Sequence, residues 1–113
     1  MDYQIARASW IGDYPDPNTF LDMFVTDGSN NKTGWSSNRY DQLIEQAVST
    51  INQEVRYQLF QQAEQIVMAG SPIIPIYTYT RNMLKHPDLQ GWHHNVMDQQ
   101  SYKVVSLKKA GTQ

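Results

Sequence analysis

The sequence contains no cysteine, and this absence excludes several kinds of site. Without thiols there is no disulfide framework, no thiolate metal site and no cysteine nucleophile. There is also no run of about 18 apolar residues, the length that a helix needs to cross a membrane. The nine Lys and Arg are scattered and are outnumbered by eleven Asp and Glu, so we do not expect nucleic acid as a partner.

Short catalytic signatures are missing as well. There is no glycine-rich phosphate loop, no serine in a nucleophile elbow and no HExxH zinc pattern. His93 and His94 are adjacent, so in a strand they would point to opposite faces, and a proline-containing turn separates them from His86. The sequence therefore predicts no metal, no cofactor and no enzyme activity.

Two carboxylates offer a weak catalytic alternative. Asp13 and Asp16 lie three residues apart and would serve a small hydrolase if one were neutral and the other ionised. Asp16 is better explained as the N-cap of a helix, because Pro17 suits the first helical position, where its missing N–H costs nothing. We therefore favour the structural interpretation of Asp16.

The length of 113 residues suits one ordinary domain, and the hydrophobic pattern predicts a mixed α+β chain with about three helices and a few short strands. Turn residues over 26–34 indicate an exposed loop, and Pro75 limits the regularity of the strand around it. The predicted elements are a strand over 2–10, a short helix from Asp16, helices capped by Ser37 or Asn38 and by Asn52, and strands over 73–79 and 102–107.

The two longer helices are amphipathic and should form a hairpin. Gly70, Ser71 and Pro72 should end the second helix, and its polar face should leave Arg56 largely solvated. The predicted apolar stripes are Tyr40, Leu43, Ile44, Ala47, Val48 and Ile51 in the first helix, and Val55, Leu59, Ala63, Ile66 and Val67 in the second.

Residues 7–13 combine a cation, an indole and a carboxylate at intervals of three. Side chains in a strand alternate with period two, so Arg7, Trp10 and Asp13 do not all face one core. Such a set would suit a small zwitterion, with a carboxylate for its ammonium group and a strand edge for its backbone. The residues alone leave a second interpretation open, in which Trp10 is a core indole and Arg7 pairs with Asp13.

Six blocks occur in a fixed order: ARASWIGDYPDPNTFL at 6–21, then 30–31, 34–35, 40–45, 56–64 and 72–77. Together they closely resemble the C-terminal region of the oligopeptide/dipeptide-class solute-binding proteins of bacterial ABC importers. The resemblance implies a C-terminal part of a two-lobed periplasmic-binding-protein fold. One departure is Lys85-His86-Pro87, where the family more often has Lys-Pro directly, at a connection outside the site.

The same resemblance implies a peptide-binding role for the first block. Asp13 would pair with the α-ammonium group of an oligopeptide, and Trp10 would form the wall of a side-chain pocket. Backbone groups at Ser9 and Ile11 would pair with the extended peptide like an added strand. The cleft-lining residues would be Arg7, Ser9, Trp10, Ile11, Asp13 and Tyr79.

The implied architecture assigns residues 1–80 to the second ligand-binding lobe and 81–113 to a return segment that completes the first lobe. The longer receptor would be periplasmic or on the cell surface, would need its preceding N-terminal lobes, and would deliver peptide to an importer permease. The alternative is a stand-alone interaction or assembly domain, whose uncovered apolar faces would favour self-association.

Overall fold

The computed structural model describes residues 4–80, 82–95, 97 and 99–108. Tyr3, which we placed in the first strand, and Arg81, which we placed at the lobe boundary, lie outside these residues. The chain divides into two compact units, Met1–Pro75 and Ile76–Gln113. Within the described part, no helix combines the length and apolarity needed to span a bilayer. The assignment of 1–80 and 81–113 to two lobes stays a prediction.

The first helix starts where Asp16 and Pro17 predict it. Helix α1 covers Asn18–Leu21 and continues as a 3-10 helix over Asp22–Phe24. Pro17 already has helical dihedral angles, and the Asp16 carboxylate accepts a hydrogen bond from the N–H of Asn18 at 2.9 Å. The Asp16 carboxylate therefore pairs with an N–H group at the start of the helix as predicted, but α1 begins one residue later than expected, with Pro17 at the N-cap position. The helix is short because Val25 turns to an extended conformation.

Two longer helices form the predicted hairpin. Helix α2 covers Asn38–Ser49 and helix α3 covers Gln53–Gly70. The side chains of Ser37 and Asn52 each accept a hydrogen bond from the backbone N–H three residues on, at 3.3 and 3.1 Å, which satisfies an otherwise unpaired donor. Helix α3 ends at Gly70, because the next residue, Ser71, has a left-handed φ of 49° that stops the helical hydrogen-bond ladder.

The core of the first unit lies where three elements face one another: α2, α3 and the 3-10 segment after α1. Its centre agrees with the predicted stripes, but their edges do not. Val48 is more than half exposed and Val55 nearly half exposed, and Ile51 is fully exposed because it follows the end of α2. Phe60, which we did not predict, is buried. The buried apolar residues are Phe24, Tyr40, Leu43, Ile44, Ala47, Phe60, Ala63 and Val67.

Trp35 joins the loop after α1 to both long helices. Its ring meets that of Tyr40 edge to face, with centroids 5.3 Å apart, and also lies against Gly70 at the end of α3. A Cβ atom on Gly70 would lie only 2.6 Å from the indole nitrogen of Trp35. The amide of Asn31 fixes the exposed loop by donating to three backbone carbonyls, including that of Trp35 at 2.9 Å.

Two predicted strands are wrong for the residues described. Residues 4–10 and 73–79 contain no strand. Isoleucine is a residue type that favours strands, but Ile74 and Ile76 are both more than four-fifths exposed. An extended segment becomes a strand only when a neighbour pairs with its N–H and C=O groups, and no described segment does so for either stretch.

The described residues of the second unit include a small antiparallel ladder. Strand β1, Leu89–Gln90, pairs with β2, Ser106–Leu107, after a 3-10 helix over Tyr102–Val104. The predicted strand over 102–107 is therefore confirmed only at its end. Gly91 follows β1 with φ of 75°, and a Cβ atom there would lie 1.8 Å from the Val104 carbonyl oxygen. This close backbone approach requires glycine.

Candidate ligand-binding segment

The predicted ligand segment precedes α1 and lies at the surface. Arg7, Ser9, Ile11 and Asp13 are exposed, in an irregular backbone. Ser9 and Ile11 form no backbone hydrogen bonds with other described residues. Their N–H and C=O groups are therefore accessible to an incoming chain.

Trp10 differs from its neighbours because it is half-buried. It does not belong to the buried core. Its indole nitrogen is enclosed, yet it has no hydrogen-bond partner among the residues that the structure describes. A buried N–H without an acceptor is unfavourable, so the position of the indole carries a cost in this structure.

Asp13 has a fixed backbone and an uncommitted side chain. Its N–H donates to the hydroxyl of Thr19 at 3.0 Å, and Thr19 is buried in α1. The preceding residue, Gly12, packs so closely that a Cβ atom would lie 3.1 Å from the Thr19 methyl group. Within the described residues, the Asp13 carboxylate makes no ion pair, with Arg7 or any other cation.

Asp16 holds the end of the segment to α3. Arg56 donates two hydrogen bonds to its carboxylate, at 2.5 and 2.8 Å, and both side chains are only about a quarter exposed. The hydrogen bonds from Arg56 hold the pKa of Asp16 below its ordinary value. We expected Arg56 to be largely solvated, and that was wrong. An aspartate committed to this ion pair and to a helix cap makes a poor general acid, which argues against the hydrolase alternative.

A second set of hydrogen bonds ties Tyr14 to the short helices. Its hydroxyl donates to Asp22 at 3.3 Å and accepts from the side-chain amide of Asn18 at 3.1 Å. Partial burial raises the pKa of Tyr14, and the neighbouring carboxylates act in the same direction. The segment is thus fixed at residues 13, 14 and 16, while residues 7–11 before it are exposed or half-buried.

Tyr79, the remaining predicted ligand residue, belongs to the second unit. Its ring meets that of Tyr77 edge to face, with centroids 4.9 Å apart, and it is 54% exposed. The described residues contain no cluster of His, Asp and Glu that could hold a metal ion.

An open groove of about 1050 Å³ lies between the start of α1 and one face of α3. Its apolar lining includes Phe20 and Tyr57, and its polar lining includes Glu54 and Glu64. Sequence patterns do not reveal this groove, because Tyr57 lies outside the apolar stripe of α3. They also do not reveal Thr19 and Arg56 as supports of the ligand segment, since no local pattern marks contacts between distant parts of a chain.

Comparison with known proteins identifies relatives that match most of this chain. No protein-family model matches the chain. It is 38% identical over 91 residues to the dipeptide-binding protein DppE of Bacillus subtilis, covering 80% of this chain and 17% of the relative. It is 37% identical over 91 residues to the oligopeptide-binding protein OppA of the same organism, again covering 80% and 17%.

A solved structure agrees with the sequence comparison. The unliganded open form of the periplasmic murein tripeptide-binding protein MppA superimposes with a TM-score of 0.74 at 34% identity. The match covers 88% of this chain and 20% of that protein. The chain thus spans about a fifth of the length of the relatives that it matches.

Proposed function

We propose that this chain, which is related to the C-terminal region of the oligopeptide- and dipeptide-binding proteins, forms the part of an extracytoplasmic receptor that holds the amino terminus of a peptide. The relatives are binding proteins by name, and none of those compared above is named as an enzyme. The proposal therefore concerns recognition without chemical change. Ligand, permease and location are extended to this chain from those relatives.

The observation that carries the proposal is the state of Asp13. Its carboxylate is exposed and makes no ion pair with a described residue, while its backbone is held by buried Thr19. A carboxylate fixed in this way can accept a charge-assisted hydrogen bond from an α-ammonium group without first losing another partner. The same arrangement disfavours anions, so the expected ligand end is a free amino terminus.

The neighbouring residues suit an extended chain. The backbone groups of Ser9 and Ile11, which form no hydrogen bond with another described backbone group, would pair with those of the peptide, as in strand addition, so this part of the contact is independent of sequence. Trp10 would wall the pocket of a ligand side chain. Arg7 would contribute to the remaining wall of the cleft, and the role of Tyr79, in the second unit, stays a prediction.

A complete receptor would enclose the peptide between two lobes, so the chain alone should bind weakly. Residues 7–13 would contact the peptide from one side only, and burial of the ligand from both sides supplies much of the affinity of such sites. The longer receptor would lie in the periplasm or at the cell surface and deliver its ligand to a membrane permease.

Nuclear magnetic resonance titration of the isotope-labelled chain tests the proposal. Trialanine should shift the resonances of residues 7–13 with a Kd of about 1 mM, which corresponds to a weak single-sided contact. N-acetyl-trialanine should bind more weakly, because it lacks the ammonium group. Asp13→Asn should abolish the preference for the free peptide, with Asp27→Asn, at an exposed aspartate of the loop after α1, as the matched control.

Two results would contradict the proposal. One is a set of shifted resonances that excludes residues 7–13 at saturating peptide. The other is equal affinity for the acetylated and free peptides, which would remove Asp13 as the ammonium contact.

A second function, self-association, is favoured by the exposed apolar residues that follow α3. Ile74, Ile76 and Leu84 are each more than four-fifths exposed, and covering large apolar side chains with a second copy of the chain would remove them from water. Light scattering at increasing protein concentration distinguishes the two proposals. A monomer at all concentrations would eliminate self-association and leave the receptor proposal intact.

A further inference from the structure

We infer that Arg56 is a positioning residue for the peptide contact at Asp13, acting through Asp16 and α1. The inference rests on the proposed function, because it assigns a supporting role within the same site. The ion pair between Arg56 and Asp16 joins residues that are 40 positions apart in the sequence.

The guanidinium of Arg56 connects three elements. Its two terminal nitrogens bind the carboxylate of Asp16, at the start of α1. Its Nε donates to the carbonyl oxygen of Ala47, in the last turn of α2, at 3.1 Å. It also lies 4.8 Å from the centre of the Phe60 ring on its own helix. Arg56 therefore holds the start of α1 at a fixed place on the hairpin.

From Asp16 a short series of hydrogen bonds leads back to Asp13. The carboxylate of Asp16 accepts from the N–H of Asn18 at 2.9 Å, and its carbonyl oxygen accepts from the N–H of Thr19 at 3.1 Å. The hydroxyl of Thr19 in turn accepts from the N–H of Asp13 at 3.0 Å. Each contact fixes the next, so displacement of Asp16 would displace Asp13.

This support matters because the ligand segment has no regular secondary structure of its own. A carboxylate on an unrestrained loop would lose conformational entropy when it binds an ammonium group, and that loss weakens binding. Sites are better held when neighbouring packing and hydrogen bonds fix their geometry before the ligand arrives. Lysine cannot replace Arg56 fully, since it lacks the planar pair of donors that binds both carboxylate oxygens.

The test measures the ratio of the Kd of N-acetyl-trialanine to that of trialanine by titration of the 113-residue chain. Arg56→Met should lower this ratio by about tenfold, since the charge-assisted contact depends on geometry. Arg56→Lys should lower it less. Arg39→Met removes an exposed cation at the start of α2 and should leave it unchanged. A general loss of folding would weaken both peptides equally, so the ratio isolates the positioning effect.

A measurement without ligand completes the test. Hydrogen exchange of the Asp13 amide should accelerate in Arg56→Met relative to the amide of Leu43 in the core. If Arg56→Met does not fold, Arg56→Lys is compared in the same way and must still show both changes.

The outcomes separate this inference from the proposed function. If the wild-type chain distinguishes the two peptides and the Arg56 variants keep the full ratio, Arg56 does not position Asp13. If the wild-type chain does not distinguish them, the ammonium contact itself is wrong. In that case unchanged exchange at Asp13 also overturns the positioning role, whereas faster exchange supports it.

Discussion

Gly70→Ala is the substitution for which the structure gives the clearest magnitude. A Cβ atom at this position would lie 2.6, 3.1 and 3.4 Å from three ring atoms of Trp35, well inside ordinary contact distance. The backbone of Gly70 is not in the left-handed region, so alanine meets no conformational barrier there. The expected cost therefore comes from packing alone.

Two opposing contributions set the sign. Alanine favours the helix over glycine by about 1 kcal/mol at most, and by less at the last helical residue. Overpacking a filled site costs about 1–3 kcal/mol. Trp35 has little freedom to retreat, because its ring is held edge to face against Tyr40, which is fully buried. We expect a net destabilisation of about 1–2 kcal/mol.

Urea denaturation followed by far-ultraviolet circular dichroism measures this difference, provided that the transition is two-state. A double-mutant cycle with Trp35→Leu identifies the cause. In the Trp35→Leu background the obstructing ring is gone, so Gly70→Ala should become neutral or stabilising. Unchanged or increased stability of Gly70→Ala in the wild-type background would refute the packing argument.

Two further predictions concern buried hydrogen bonds and pH. Tyr40→Phe should destabilise the chain by about 1–2 kcal/mol in the same denaturation assay, because the buried Tyr40 hydroxyl donates to a carbonyl oxygen at the end of α1 that would lose its donor. Equal stability would show that this carbonyl finds another donor. In the folded chain the pKa of Asp16 lies below its ordinary value, because Arg56 stabilises the carboxylate. The contribution of this ion pair to folding stability is therefore present above the unfolded pKa of about 4 and is lost as the pH falls below that value. The stability difference between wild type and Asp16→Asn should therefore be largest near neutral pH and shrink below about pH 4 in acid titrations of unfolding, and a constant difference would contradict this assignment.

Local patterns predicted the helices well because their determinants lie within a few residues. Asp16, Ser37 and Asn52 each provide an oxygen for N–H groups two or three positions ahead. The centre of each apolar stripe was also correct, since a helix places residues three and four apart on one face. The edges of the predicted stripes were wrong: Val55 was predicted to be buried and is not, and Phe60 is buried although it was not predicted. The burial of such residues depends on what packs against them in the folded chain.

The predictions of strands before α1 and after α3 were wrong for a physical reason. Residues 73–79 have the composition of a strand, but a strand exists only through pairing with a neighbour, and no such neighbour occurs among the described residues. The prediction that Arg56 is largely solvated was wrong for a related reason. On its own helix it appears as one more charged residue, and only the fold brings Asp16 to it.

The sequence by itself determined the helix boundaries, the exposed loop and the resemblance to peptide-binding receptors, because these depend on residue types at short, fixed spacings. Tertiary structure alone decided which residues hold the ligand segment in place. Thr19 fixes the backbone of Asp13 and Arg56 fixes Asp16, and both contacts depend on the packing of α1 against the hairpin of α2 and α3. Contacts between distant residues follow from the packing of whole elements, and no short pattern in the chain encodes them.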